Sequence, residues 1–459
     1  MSDTQARTRA GDVAAHGGTA PAADVEARST QARETLAQIP LAYWLFVATL
    51  LLSVFSGNWG RLGLPIGLDR ILLPAAFALL LLDPWSKGRP MAAVHWVMLA
   101  FAVLATCSLV LLGTIDSASV FALLDRVYLP LLFFAVAPIF VVGEARRTYF
   151  LRAFAVFGLY LAVTSIAETF EIAALVHPGY ILDAKHALEA SGTGEVPRAG
   201  GPMLASEGTG MLTAMCAVIA AFVAARERGG WRIIATLTVP LCLFAAFLSM
   251  TRSVWLGTAL GIAAAVLLQR RLWRWIPLMA VAAVAALVLG AALLPGLAEI
   301  AMDRGSTSRS VYDRFNTNAA GVRIVQELPL TGIGWGEFIR TGPSWVRQSD
   351  AYPLTSVNIE IHNVFLSRAA ELGLPAAALF VLCIVLGPLT ALYCARAPQV
   401  RGWRSLLAAL ACIWLVPSML SPVPYPLPTF LMWTVAGIVY GMSDTSSSAH
   451  TDRSPAGRP

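Results

Sequence analysis

Apolar residues run along this chain in blocks of membrane length, separated by short polar connections. A helix of about 20 apolar residues crosses the hydrocarbon of a bilayer. Blocks of that kind lie near 40–56, 66–83, 92–112, 118–142, 149–174, 203–225, 232–250, 253–269, 275–295, 364–393, 404–419 and 426–442. The pattern predicts an all-α polytopic membrane protein with about twelve transmembrane helices. It divides the chain into a polar tail at 1–38, nine helices over 39–296, a long polar loop at 297–362, three helices over 363–442, and a second polar tail at 443–459. The first tail is rich in Ala, Thr, Arg and Gly, with few large apolar residues, and reads as disordered. It is too long and too polar for the n-region of a signal peptide, so the first span is expected to stay as an anchor. The second tail reads the same way.

Composition agrees with the pattern. The chain has 459 residues, 57% apolar and 13% charged, with a mean hydropathy of +0.68. Soluble domains carry about 25% charged residues. The net charge of +6 is therefore a matter of topology, and no nucleic-acid partner is expected. Alternate short connections hold Lys87/Arg89, Arg146/Arg147, Arg226/Arg228/Arg232, Arg270/Arg271/Arg274 and Arg396/Arg401/Arg404, while 113–117 and 420–425 hold no Lys or Arg. The positive-inside rule puts the basic set and both termini in the cytoplasm, and it turns the 297–362 loop outward. With that orientation Asp69, Arg70, Asp125, Arg126, Glu168, Glu171, Glu207, Arg252, Arg368 and Glu371 all fall near outer helix ends. Ionisable groups at membrane depth face a polar cavity or one another. An outward-opening cavity accommodates the set. The six cysteines lie in or beside apolar blocks, without metal spacing, and are expected to pack.

The chemistry concentrates between Arg304 and Gly373. Six arginines precede Ile361-His362-Asn363, and Thr331-Gly-Ile-Gly-Trp-Gly-Glu-Phe338 lies between them. A polar loop of this length between spans is functional or disordered, and its glycines and tryptophans argue against disorder. His362 can take a proton from a hydroxyl at neutral pH. A loop histidine alone is more often bland; Asn363 beside it, and Arg368 and Glu371 on the helix it opens, raise its standing. Arg252 stands at a junction of two spans with almost no loop around it, where a headgroup-facing arginine is the simpler reading. Arg314, in Asp313-Arg-Phe-Asn-Thr-Asn318, reads equally as a solvated loop charge. Two guanidinium forks close together would, however, form a receptor for a diphosphate. No metal or other cofactor is expected: the acids near the site show no paired spacing, and Glu371 lies three residues from Arg368 on one helix face.

Arg314-x14-Pro329-Leu-Thr-Gly-Ile-Gly334, followed by His362-Asn363-x9-Gly373-Leu-Pro375, resembles the signature of the O-antigen ligase and polymerase superfamily. Thr251-Arg252-Ser253 is similar to that family's Ser-Arg before a span, and Arg198-Ala-Gly-Gly201 to its Arg-x-x-Gly. The likeness covers about 195–375, and the layout of spans around one large outer loop extends it. Two positions depart from the pattern: Ala376 follows Gly-Leu-Pro, and Asn318 stands where an aromatic residue is expected. The resemblance implies a GT-C-like membrane glycosyltransferase in the bacterial inner membrane, acting at the periplasmic face without a metal. Its partners would be membrane lipids, an undecaprenyl-diphosphate-linked glycan and, as acceptor, lipid A core (ligase) or a second lipid-linked glycan (polymerase, including exopolysaccharide polymerase). His362, Arg252 and Arg314 would be catalytic. Arg198, Arg70, Arg126, Asn363, Arg368 and Glu371 would bind substrate. A lipid-linked oligosaccharide flippase is the alternative from another class. Transporters place polar sites at the midplane, whereas these charges collect at one end. A metal-dependent oligosaccharyltransferase would need acids in the first outer connection, and Gly57–Leu68 has none.

Overall fold

The computed structural model describes residues 38–82, 91–190, 198–269, 273, 309–347, 360–395, 400–422 and 425–451. Residues from Leu41 onward form one compact unit, to which everything below applies. All regular elements among the described residues are helical. In order they are α1 (Leu41–Leu52), α2 (Leu68–Leu81), α3 (Ala93–Leu111), α4 (Ser117–Phe140), α5 (Gly143–Thr169), α6 (Tyr180–Ala190), α7 (Ser206–Arg226), α8 (Gly230–Leu248), α9 (Arg252–Leu268), α10 (Arg309–Glu327), α11 (Phe338–Trp345), α12 (Val364–Cys394), α13 (Arg401–Leu420) and α14 (Pro426–Thr451), joined by short 3-10 turns.

Seven of these, α3, α4, α5, α7, α8, α12 and α13, are long and apolar enough to cross a membrane, and shorter apolar helices lie at Leu41–Phe55 and Arg252–Leu268. The chain is therefore a multi-pass membrane protein. The expected span at 275–295 and the tail at 1–37 lie outside the described residues. Helix α14 continues to Thr451, past the expected end of the last span. No Pro or Gly follows Gly441 until Pro455, so nothing in the sequence interrupts its hydrogen-bond ladder there. Within the polar 297–362 segment the described residues include two helices, α10 and α11, with a turn between them.

Helix α7 is central, buried along most of its length and packed against α5, α8 and α13. Lipid tails are as apolar as leucine, so close backbone approach, rather than hydrophobic burial, must hold such helices together. Small residues sit at the crossings. Gly257 and Gly261 of α9, a G-x-x-x-G pair, lie against Ala409, Cys412 and Ile413 of α13. Gly158 of α5 lies against Cys216 and Cys242, both buried and free, in keeping with their expected packing role. Gly437 of α14 admits the Phe134 carbonyl of α4 so closely that a methyl group there would collide with it.

The most informative packing is between backbones. Gly373, at φ 82 and ψ 167, breaks α12, and Pro375 has no N–H to donate. The carbonyls of Ala370 and Glu371 therefore lose their helical donors, Leu374 N–H and the missing one at Pro375. The turn after α10 replaces them. Ile333 N–H donates to Ala370 O (3.0 Å), Gly334 N–H to Glu371 O (2.9 Å), and Leu374 N–H donates to Pro329 O (2.7 Å). Gly332 (φ 62) lies so close that a Cβ would come within 2.5 Å of the Glu371 carbonyl, and a Cβ on Gly373 would meet the Leu330 carbonyl. Trp335, 1% exposed, then ties the turn to the start of α4 through a bond from its indole N–H to Ser119 O (3.0 Å).

Gly373→Ala should accordingly lower folded yield and thermal stability. A positive φ with an extended ψ is used essentially by glycine alone and costs a Cβ-bearing residue on the order of 1–3 kcal/mol before the collision is added. Thermal-shift size exclusion in detergent reads the loss. Gly230→Ala, at a position with open space around it, serves as the control and should be neutral.

Candidate active site

His362 lies between two anchored neighbours. Ile361 is fully buried with Ala320 and Ile324 of α10, Phe338 of α11 and Ala370 of α12. Asn363 is the N-cap of α12, its Oδ1 accepting from Phe365 N–H (3.0 Å) and Leu366 N–H (3.1 Å). One residue further back, Glu360 receives a bidentate pair from Arg126 of α4 (3.0 and 2.8 Å). The wide π-turn Leu124–Tyr128 carries Arg126 together with Asp125. The imidazole Nδ1 lies 3.2 Å from Thr317 Oγ1 of α10, and Thr317 is 4% exposed.

The same helix brings in Arg314, three residues before Thr317. Its half-buried guanidinium interacts with Glu207 of α7 and with Arg252, the exposed first residue of α9. Burial, and secondarily the charge of Arg252, hold its pKa below the ordinary guanidinium value, with Glu207 opposing. Arg314 Nε is buried with no hydrogen-bond partner among the described residues. Glu207 is held in turn by Ser253, whose hydroxyl donates to Oε1 (2.7 Å), and by Tyr425, whose hydroxyl lies 3.5 Å from Oε2. Arg198, half-buried, and Glu360 both act electrostatically on Tyr425. The cluster is thus drawn from five segments: the turn before α7, then α7, α9, α10 and the residue before α14.

The remaining candidates form a second group of internal ion pairs. Arg70 pairs with Asp125 and, at 3.6 Å, with Asp69. Arg368 and Glu371 face each other at 3.8 Å, only 4% and 6% exposed, and the Arg368 guanidinium lies 4.6 Å from the centre of the Trp335 ring. Their separation of three residues predicted that pair. Arg70, Arg126 and Arg368 each have a carboxylate partner, and the Asn363 amide oxygen is engaged in the cap.

Several members of the site carried no signal in sequence. Glu207 read only as an acid just inside a span, and nothing linked it to Arg314. Thr317, Glu360 and Tyr425 carried no periodic or motif signal, and Ser253 entered only as the end of the Thr251-Arg252-Ser253 run; Tyr425 lies in the Pro-rich turn Ser421-Pro-Val-Pro-Tyr-Pro426. A set of possible metal ligands does occur elsewhere, at exposed Glu171, His186 and Glu189. Lys185 pairs with Glu171 (2.8 Å) and Glu189 (3.9 Å), so an ammonium already meets its negative charge and holds the Glu171 pKa below the usual carboxylate value.

Comparison with known proteins adds one finding. No curated protein matches the chain. A family model described as O-Antigen ligase matches residues 237–381, from within α8 past the break in α12, and so includes Arg252, Arg314, His362 and Gly373. Over that segment, about a third of its length, the chain is similar to the O-antigen ligase family.

Proposed function

We propose that the protein is an O-antigen ligase that moves a glycan from an undecaprenyl-diphosphate carrier to a hydroxyl of lipid A core, outside the inner membrane. The observation that carries this reading is the arrangement on α10. Arg314 interacts electrostatically with Arg252, and Thr317, three residues later on the same helix face, contacts His362. An anion-binding pair and a base therefore lie one helical turn apart, about 5 Å along the axis. That is the reach from a diphosphate to the sugar carbon it carries. The distribution of Lys and Arg among the short connections supports a site facing the periplasm.

In this mechanism the diphosphate of the donor lies against Arg252 and Arg314, with Arg314 Nε able to donate. Arg198 adds a positive charge from the turn before α7. His362 takes the proton of the acceptor hydroxyl as its oxygen bonds to the anomeric carbon. The bond from that carbon to the diphosphate breaks, and undecaprenyl diphosphate leaves with the electron pair. Fixed guanidiniums meet the negative charge that develops on it. Arg126, through Glu360, and the Arg368–Glu371 pair hold the segment on which His362 sits. The same site would serve a polymerase, with a second lipid-linked glycan as acceptor. Ala376, where the ligase pattern has another residue, keeps that as the second reading.

A deletion strain complemented with His362→Ala should make no glycan-capped lipid A core and should accumulate lipid-linked glycan, with the protein present in normal amount. Loss of a positioned base costs about 10² to 10⁴-fold. Wild-type complementation should restore capping without lengthening the donor glycan. A ladder of longer lipid-linked chains, formed without core acceptor, would decide for the polymerase. Full activity of His362→Ala would remove the reading.

The second expectation concerns charge stabilisation. Transfer in isolated membranes should survive excess chelator, while Arg314→Ala or Arg252→Ala should lose about 100-fold or more. Arg→Lys should recover part of that, since an ammonium keeps the charge and loses the fork. Loss on chelation, restored by magnesium or manganese, would overturn the arginine mechanism.

Glu207 gives a third, with the sign fixed by electrostatics. Its carboxylate partly neutralises the guanidiniums that the diphosphate needs. Glu207→Gln should therefore lower the KM for the lipid-linked donor by about twofold to fivefold, the scale of one partly exposed charge pair. A raised donor KM would instead make Glu207 a contact for the donor itself.

A further inference from the structure

A histidine that accepts a proton through one ring nitrogen carries its own proton on the other, and the partner of that second nitrogen selects the tautomer. Thr317 Oγ1 lies 3.2 Å from His362 Nδ1 and 3.4 Å from the carbonyl oxygen of Arg314, one turn back along α10. A carbonyl only accepts, so the bond to Arg314 O uses the single hydroxyl proton of Thr317. The lone pairs of Oγ1 are then what faces Nδ1, and Nδ1 must supply the proton of the second bond. In the opposite tautomer the hydroxyl would donate to Nδ1, and two acceptor oxygens would face each other across 3.4 Å with no hydrogen between them. Only the Nδ1–H form satisfies both contacts.

The surroundings hold this geometry in place. Thr317 is 4% exposed, in a part of α10 that packs on α12. The backbone on either side of the ring is fixed by buried Ile361 and by the Asn363 cap. The carbonyl that receives the threonine proton belongs to Arg314, the residue whose side chain interacts electrostatically with Arg252 and Glu207.

We propose that Thr317 is the positioning residue of this active site. Locked onto the Arg314 carbonyl, its hydroxyl keeps His362 in the Nδ1–H form, with the basic lone pair on Nε2. The proposal rests on the glycosyl-transfer reading above. It adds that a neutral hydroxyl orients the base. The reacting proton moves from the acceptor hydroxyl to Nε2, giving an imidazolium whose Nδ1–H still bonds Thr317. No other bond changes on the threonine.

The test compares Thr317→Val, Thr317→Ser and His362→Ala in membranes of the deletion strain, which supply accumulated lipid-linked glycan. Purified lipid A core, free of glycan, is added as the acceptor. Thr317→Val keeps the shape and loses the hydroxyl. Its kcat should fall about ten- to hundredfold, the scale expected for losing the group that orients a base, with acceptor KM within about twofold. Thr317→Ser should recover most of the loss. Immunoblotting normalises the amount in the membrane, and Thr317→Ala replaces the valine variant if that one is poorly retained. Wild-type kcat in Thr317→Val beside an inactive His362→Ala would overturn the positioning role and leave the glycosyl-transfer reading standing. Equal damage from Val and Ser would also overturn it, because the methyl group and not the hydroxyl would then matter. An active His362→Ala would bring down both.

Discussion

The site depends on one broken helical turn. Gly373 and Pro375 together leave the carbonyls of Ala370 and Glu371 without donors from their own helix. Inside an apolar protein an unmet carbonyl costs on the order of 1–3 kcal/mol. The turn after α10 meets both with Ile333 and Gly334 and receives Leu374 N–H in return. The exchange fixes α10 against the start of α12. Everything that brings Arg314 and Thr317 toward His362 follows from that registration.

Charge is handled differently in the two parts of the site. The pairs Arg126–Glu360 and Arg368–Glu371 are internally compensated, and Arg70 lies between two carboxylates, Asp69 and Asp125. Buried charges persist only with such partners, and their geometry is then rigid. Around Arg314, by contrast, charges of both signs act from other helices, Glu207 of α7 against it and Arg252 of α9 with it. Rigid ion pairs therefore frame the arginines that we propose meet the diphosphate.

How much of this was legible in the sequence depended on the range of the signal. Apolar blocks report on the bilayer directly, so the membrane class and seven long apolar helices could be read off. Arg368–Glu371 was readable because both residues share one helix. The glycine motif could be recognised but not explained: Pro329-Leu-Thr-Gly-Ile-Gly334 and Gly373-Leu-Pro375 are two halves of one hydrogen-bond exchange, and no local rule joins them. Glu207 and Thr317 were invisible for a related reason. A hydroxyl or a carboxylate acquires a role only from the helix that packs across from it, and helix packing angles leave no periodic trace in a single chain. Arg70 and Arg126, singled out as ligand contacts, turned out to have carboxylate partners inside the protein, supplied by distant segments.

The ion pair between Arg126 and Glu360 joins residues 234 positions apart. Tyr425, which completes the environment of Glu207, lies closer still to the end of the chain. A polytopic protein enters the bilayer in the order in which it is synthesised, and contacts this distant in sequence form last. The histidine and the arginines are therefore brought into register only when biosynthesis is nearly over. A stalled or truncated product would sit in the bilayer as helices without an assembled site.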